Sequence, residues 1–248
     1  MDMSERDFEA TIEGDLLARG PDATGAVSGG LREDAAPYGT QFVPGGYRRR
    51  TSRDYDAGDC LINRDTLEFI YVTQPEMWQK FTKQHGADAE KQFFGRLTHE
   101  IAARGTVDVL RRGIKVTGCT FALAYFRPST TLNPDHQRHH AANCFSVARQ
   151  VHYSVSQPDL SLDLVLFLNG LPLFTAELKN PLTGQRYTHA VAQYRRDRDP
   201  KEPLFALGRC LAHFAVDPDV VQVTTHLQGA ATRFLPFPRP RARGSRVL

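Results

Sequence analysis

The sequence predicts a mixed α/β fold, on three observations. Apolar residues recur at helical spacing near the N-terminus and across residues 75–103. Short apolar runs separated by turn residues dominate after Gly105. An Asn-Gly turn joins two apolar runs in LDLVLFLNGLPLFTAELKN, residues 162–180.

Taken in order, residues 4–19 predict a helix, with Ser4 as a suitable N-cap and Phe8, Ile12 and Leu16 recurring every four residues. Residues 20–46, rich in Gly, Ala and Pro, predict a long loop, with Arg48-Arg49-Arg50 in loop just after it. Thr66–Val72 predicts a strand. Pro75 suits the first turn of a helix through Gln84, and Ala87–Ala103 predicts another, with Phe94, Leu97 and Ile101 on one face. VDVL, IKV and FALAYF then predict strands, residues 127–143 a polar loop, and Val147–Val155 a strand. After the hairpin come a helix over Tyr187–Arg196, an amphipathic stretch without clear period at Phe205–Val216, and a final strand in VVQVTTHL.

Composition sets the outer limits. The 248 residues are 41% hydrophobic and 24% charged, enough for one large domain or two small ones. No window approaches a membrane span, and the acidic first 19 residues lack an apolar signal core, so a cytoplasmic protein without membrane partners is expected. Cys60, Cys119, Cys144 and Cys210 are scattered, as reduced thiols would be. The net charge of +3 owes everything to Arg239, Arg241, Arg243 and Arg246; without them 27 basic residues face 28 acidic ones. Any nucleic-acid surface is therefore a local patch.

The hairpin carries acids where a core strand should not. A two-residue Asn-Gly loop would pair Leu168 with Leu171 and send Asp163 and Glu177 to opposite faces. A three-residue loop with Gly170 left-handed, or a bulge, reverses that parity and puts Asp163, Glu177 and Lys179 on one face. Pro172 argues for such an irregularity. Two carboxylates on one rigid face repel unless a cation lies between them, and such oxygens suit Mg²⁺, which needs only one or two protein carboxylates. Lys179 beside them would orient or deprotonate a water. The competing reading is an ordinary solvated strand face. Asp199-Pro200-Lys201 repeats the acid-x-lysine pattern but has no apolar strand around it, and predicts a solvated turn.

These residues carry a resemblance. SLDLVLFLNGLPLFTAELKNPLTGQ and AVAQYRRDRDPKEPLFALGRCLAHFAVD, with VDVLRRGIKVTG, AYFRP, LNP and ARQVHYS upstream, resemble the N-terminal nuclease region of type I restriction enzyme R subunits. The resemblance runs from about Ser4 to Phe237. It implies a restriction-endonuclease-like PD-(D/E)xK fold, a mixed sheet flanked by helices. Residues 1–19 would be its first helix, 20–46 a flexible loop, 47–237 the nuclease domain and 238–248 a disordered basic tail. It implies metal-binding roles for Asp163 and Glu177, a catalytic role for Lys179, and a site role for Gln193 as the glutamine of a Q-x-x-x-Y element. The sequence departs there: Tyr194 is adjacent and Asp197 holds the fourth position. An acid on the first helix, Glu9 or Glu13, would join the site or face solvent.

The activity implied is Mg²⁺-dependent hydrolysis of duplex DNA within a complex of methyltransferase and specificity subunits. The family's ATP-driven motor domains are expected to be absent, since no G-x-x-x-x-G-K-[ST] occurs. The alternative is a truncated, catalytically silent remnant or docking module. Arg195, Arg196 and Arg198 are candidate phosphate contacts. Arg48–Arg50 and the tail arginines are weaker ones, and His136, His139, His140 and Cys144 make a poor zinc set. Trp78, Phe93 and Phe94 belong to the core.

Overall fold

The computed structural model describes residues 5–18, 20, 46–129 and 132–238. Ser4 as a cap, the loop over 21–45 and the basic tail from 239 lie outside the described residues. Among those described are seven α-helices and nine strands. Seven strands form one mixed sheet in the order β1-β4-β5-β6-β7-β8-β9. These are β1 (Arg48–Arg50), β4 (Phe145–His152), β5 (Ser161–Leu168), β6 (Leu171–Leu178), β7 (Ala212–Val216), β8 (Val221–Thr224) and β9 (Leu235–Pro236). β1 pairs with β4 and β6 with β7 in parallel, and the other pairs are antiparallel. The sheet is thus mixed, with helices packed against it.

Three apolar clusters hold this arrangement. Helix α1 (Glu5–Leu17) sets Phe8, Ile12, Leu16 and Leu17 against Val147, Leu164, Ala176 and Leu178 of the sheet. Helix α7 (Tyr187–Arg196) connects β6 to β7, as a parallel pair requires, and its Tyr194 is fully buried. The Tyr194 hydroxyl, Thr175 Oγ1 and His213 Nδ1 form a buried chain with 2.8 Å links. A separate aromatic cluster fills the helical lobe of α2 (Asn63–Thr73), α3 (Pro75–His85), α4 (Ala89–Arg104) and α5 (Thr106–Arg112). There Trp78 contacts Phe81, Phe93 and Phe121.

Several expectations need correction. Thr66–Val72 is not a strand but lies in α2, because Thr66, Phe69, Ile70 and Thr73 are buried at three- and four-residue spacing. That packed face overrides the β preference of Thr, Phe and Ile. VDVL belongs to α5, which buries Thr106, Val109 and Leu110 and stops at Gly113, where φ is +66°. β3 (Cys119–Phe121) pairs with β2 (Ile114–Val116) and takes only the first residue of FALAYF. The polar stretch 127–143 contains α6 (Pro134–Ala141), begun by Pro134 and capped by Asn133, whose side chain accepts from Asp135 N at 2.9 Å. None of its residues is buried, so it carried no periodic signal. Arg48–Arg50 form an edge strand. Arg48 pairs with Glu68 and Arg50 with Asp65, each at 2.8 Å.

The hairpin answers the parity question. Its loop is Asn169-Gly170, with φ of +50° and +82° and Leu168 opposite Leu171. The register then shifts by one residue between Leu166 and Phe167, so that Leu164 faces Ala176. The extra residue lies beside Pro172, which has no N–H to leave unpaired. Continuing that register sets Asp163 opposite Glu177.

The turn is also buried. Asn169 accepts from Cys144 N at 2.7 Å and donates to Leu123 O at 2.8 Å and Asn143 Oδ1 at 3.0 Å. Thr66 Oγ1 donates to Asn169 O at 2.8 Å, and Ile62 N to Gly170 O at 2.9 Å. A Cβ on Gly170 would stand 2.3 Å from Ile62 O. One end of the hairpin is therefore pinned to the helical lobe, and the other carries the acids.

Candidate active site

At the acid-bearing end, β5 and β6 present Asp163 and Glu177 across the strand pair. Asp163 is partly exposed. Its Oδ2 accepts the Leu178 N–H at 2.7 Å and its Oδ1 accepts from Gln150 Nε2 at 3.3 Å. Glu177 is fully buried. Its Oε1 accepts from Arg198, while its Oε2 is buried with no hydrogen-bond partner. Burial and the neighbouring Asp163 carboxylate push the Glu177 pKa up to about 8, against the pull of Arg198 and Lys179.

Lys179 follows two residues on, 8% exposed, with Nζ 3.7 Å from Glu5 Oε1. It lines a cavity of about 250 Å³ with Gln185, His189, Gln193, Arg196 and Asp197. The structure thus brings Lys179 and Gln193 to one recess, although they lie on different elements. Tyr194 points into the core instead, and Asp197 stands at the cavity wall.

The three arginines expected at phosphate separate. Arg195 and Arg196 are exposed, Arg195 also donating to Thr232 O at 3.0 Å. Arg198 is 4% exposed and turned inward, bonded to Glu177, Tyr153 Oη and Ser161 O. In this arrangement its guanidinium is spent on the protein. Asp197 caps α7, so the chain has left the helix before Arg198 and the helical face no longer governs its direction.

Both N-terminal acids are buried and neither faces solvent. Glu13 lies 3.4 Å from Arg49 and 3.6 Å from Arg149. Glu9 accepts from Arg149 Nε and Nη2 at 3.1 and 3.0 Å and from Gln150 Nε2 at 2.9 Å. Burial pushes the Glu9 pKa up, Asp163 adds to that, and Arg149 and Gln150 oppose it. Glu9 therefore joins the Asp163 neighbourhood through Gln150. Gln150 escaped the sequence reading: a polar residue in ARQVHYS gives no sign of a partner 141 positions earlier.

The donor set suits one kind of ion. Among the described residues no group of three His, Cys, Asp or Glu side chains could hold a metal, and His136, His139, His140 and Cys144 form no such group. Asp163 with the orphaned Glu177 Oε2 fits a hard cation that takes two carboxylates and keeps its waters, as Mg²⁺ does.

A family model for the type I restriction enzyme R protein N terminus matches residues 56–232. The chain belongs to that family. The match spans the hairpin, α7 and strands β4 to β8 of the sheet, so all the β-strand and α7 residues of the site lie within the R protein N-terminal region. No curated protein and no solved structure matches the chain. Among the described residues no helix is long and apolar enough to cross a membrane.

Proposed function

We infer that this R-protein N-terminal region is a Mg²⁺-dependent endonuclease acting on DNA phosphodiesters. The observation that carries the reading is the hairpin register, which runs to Leu164 opposite Ala176 and, continued by one pair, brings Asp163 to Glu177, two residues before Lys179. The buried, unpartnered Glu177 Oε2 supports it. Asp163 and Glu177 would hold Mg²⁺, which when bound acidifies a coordinated water and offsets phosphate charge.

The chain's own residues do the rest. Lys179 Nζ, in the recess beside Glu177, orients the attacking water or takes its proton, and its charge faces the phosphorane-like transition state. The Leu178 N–H and Gln150 amide fix both oxygens of Asp163, so the carboxylate does not rotate away. Arg195 and Arg196 hold the backbone on either side of the scissile bond, and Gln193 contacts it from the cavity. Base sequence is not read by these groups; methyltransferase and specificity subunits are the partners that the family context supports.

The test is nicking of supercoiled plasmid by the purified chain with Mg²⁺ or Mn²⁺. Lys179→Ala should lower the rate by about two orders of magnitude or more. Metal-dependent nicking that survives in Lys179→Ala would refute the assignment. A folded wild type that binds metal but does not nick would make this region a docking module without turnover of its own.

A further inference from the structure

Gln150 sits in a conformation that its residue type disfavours. Its φ is +49°, in the left-handed region, in the middle of β4. The β4–β5 pairing passes through Arg149–Leu164 and Val151–Leu162, so Gln150 stands opposite Asp163. The pairing of β5 with β6 ends just beyond it, at Leu164 opposite Ala176. Gln150 and Asp163 therefore stand side by side on neighbouring strands, and the strained residue is the neutral one.

Its side chain is fully engaged. Nε2 donates to Glu9 Oε1 at 2.9 Å and to Asp163 Oδ1 at 3.3 Å, and Oε1 accepts from Ser161 Oγ at 2.9 Å. One amide thus links two carboxylates from different elements, α1 and β5, that would otherwise repel. It does so without bringing a positive charge that would compete with a cation. A glycine would adopt this backbone freely, yet it has no amide to offer.

We propose that Gln150 is a positioning residue, held in a strained backbone so that its amide locks Asp163 and Glu9 in a cation-binding arrangement. The proposal rests on the metal-site reading of Asp163 and Glu177. Outer partners of metal-binding carboxylates commonly contribute about 10–100-fold in affinity, and strain of this kind is retained where the local structure over-determines it.

Mn²⁺ titration of the purified chain, followed by loss of the free-ion electron paramagnetic resonance signal, tests it alongside thermal unfolding in EDTA. Gln150→Ala and Gln150→Gly should each weaken Mn²⁺ binding about tenfold or more. Gln150→Gly should nevertheless melt above Gln150→Ala by about 2 °C or more, the reverse of an ordinary strand position, because glycine relieves the strain. A stable Gln150→Gly protein that has lost Mn²⁺ affinity cannot be explained by a merely structural role. Wild-type affinity in both variants overturns the proposal while leaving the metal site intact. Gln150→Gly melting below Gln150→Ala overturns the claim of strain. If wild type and Asp163→Asn bind Mn²⁺ alike, the metal-site reading itself fails and takes this proposal with it.

Discussion

Arg198 donates from Nε to Glu177 Oε1 at 2.7 Å and forms an ion pair with the same oxygen through Nη2 at 2.6 Å, with both side chains removed from solvent. The same guanidinium reaches Tyr153 Oη at 3.2 Å and Ser161 O at 2.8 Å. Above the Glu177 pKa of about 8, removing it leaves a buried carboxylate without its counter-ion. Arg198→Met should therefore destabilise the protein by about 3–5 kcal/mol, and adding Glu177→Gln should recover a large part of that loss. Urea unfolding of the two single variants and the double variant measures the coupling; additive losses would show that the pair is not a unit.

The pH dependence of stability follows from Glu177. Its folded pKa, about 8, lies above its ordinary value of 4.5, so the folded state binds the proton more tightly. In EDTA its contribution is fully present below about pH 4.5 and is lost as pH rises toward 8. His213 acts in the opposite sense: burial pushes it down from 6.5 to about 4, and its contribution is lost as pH falls through that window. Stability of wild type relative to Glu177→Gln should thus decline between pH 5 and pH 8. An unchanged difference across that range would rule out the raised pKa.

Gly170 is the tightest point of the hairpin. Gly170→Ala combines φ of +82° with a Cβ 2.3 Å from Ile62 O and 2.4 Å from Thr66 Oγ1. It should cost at least about 2 kcal/mol. Gly184→Ala is the control: φ is +78° but nothing lies within 4 Å, so only the conformational penalty of about 1–2 kcal/mol applies. Chemical denaturation should rank Gly170→Ala well below Gly184→Ala; equal losses would mean that the buried turn yields around the extra methyl.

Arg195 and Arg196 differ from Arg198 in what they offer to DNA. If each of the exposed pair neutralises one phosphate, Arg195→Ala and Arg196→Ala should each reduce the slope of log affinity against log salt by about 1. Arg198→Gln, measured under conditions where it stays folded, should leave the slope alone, because the Arg198 side chain faces Glu177. Fluorescence anisotropy with a labelled duplex at several salt concentrations distinguishes the two cases. A slope change for Arg198→Gln alone would reverse the assignment.

Much of the hairpin was legible because local rules govern it. The acids called for a three-residue loop or a bulge, and Pro172 for an irregular ladder; the loop keeps the two residues that Asn-Gly favours, and the bulge beside Pro172 supplies the shift of register. Helices α1, α3, α4 and α7 were legible because each shows a strong start signal or a periodic apolar face. The short α2 and α5 were not, since Thr, Val, Phe and Ile favour strands until a packed neighbour decides otherwise. Arg198 was misplaced by proximity: two exposed arginines precede it, but the chain turns at Asp197 before reaching it. Gln150 depends on Glu9 and Asp163, partners 141 and 13 positions away. No spacing rule connects them.

The single-residue shift beside Pro172 also governs how this hairpin can change in length. Side chains alternate faces along a strand, so losing the bulged residue would turn Glu177 and Lys179 away from Asp163 while the turn itself survived. Length variation between the two carboxylates is therefore tolerable only in pairs of residues. A one-residue deletion anywhere from Leu164 to Ala176 separates the two acids as surely as replacing one of them, whereas a two-residue change can shorten or lengthen the hairpin and keep them together.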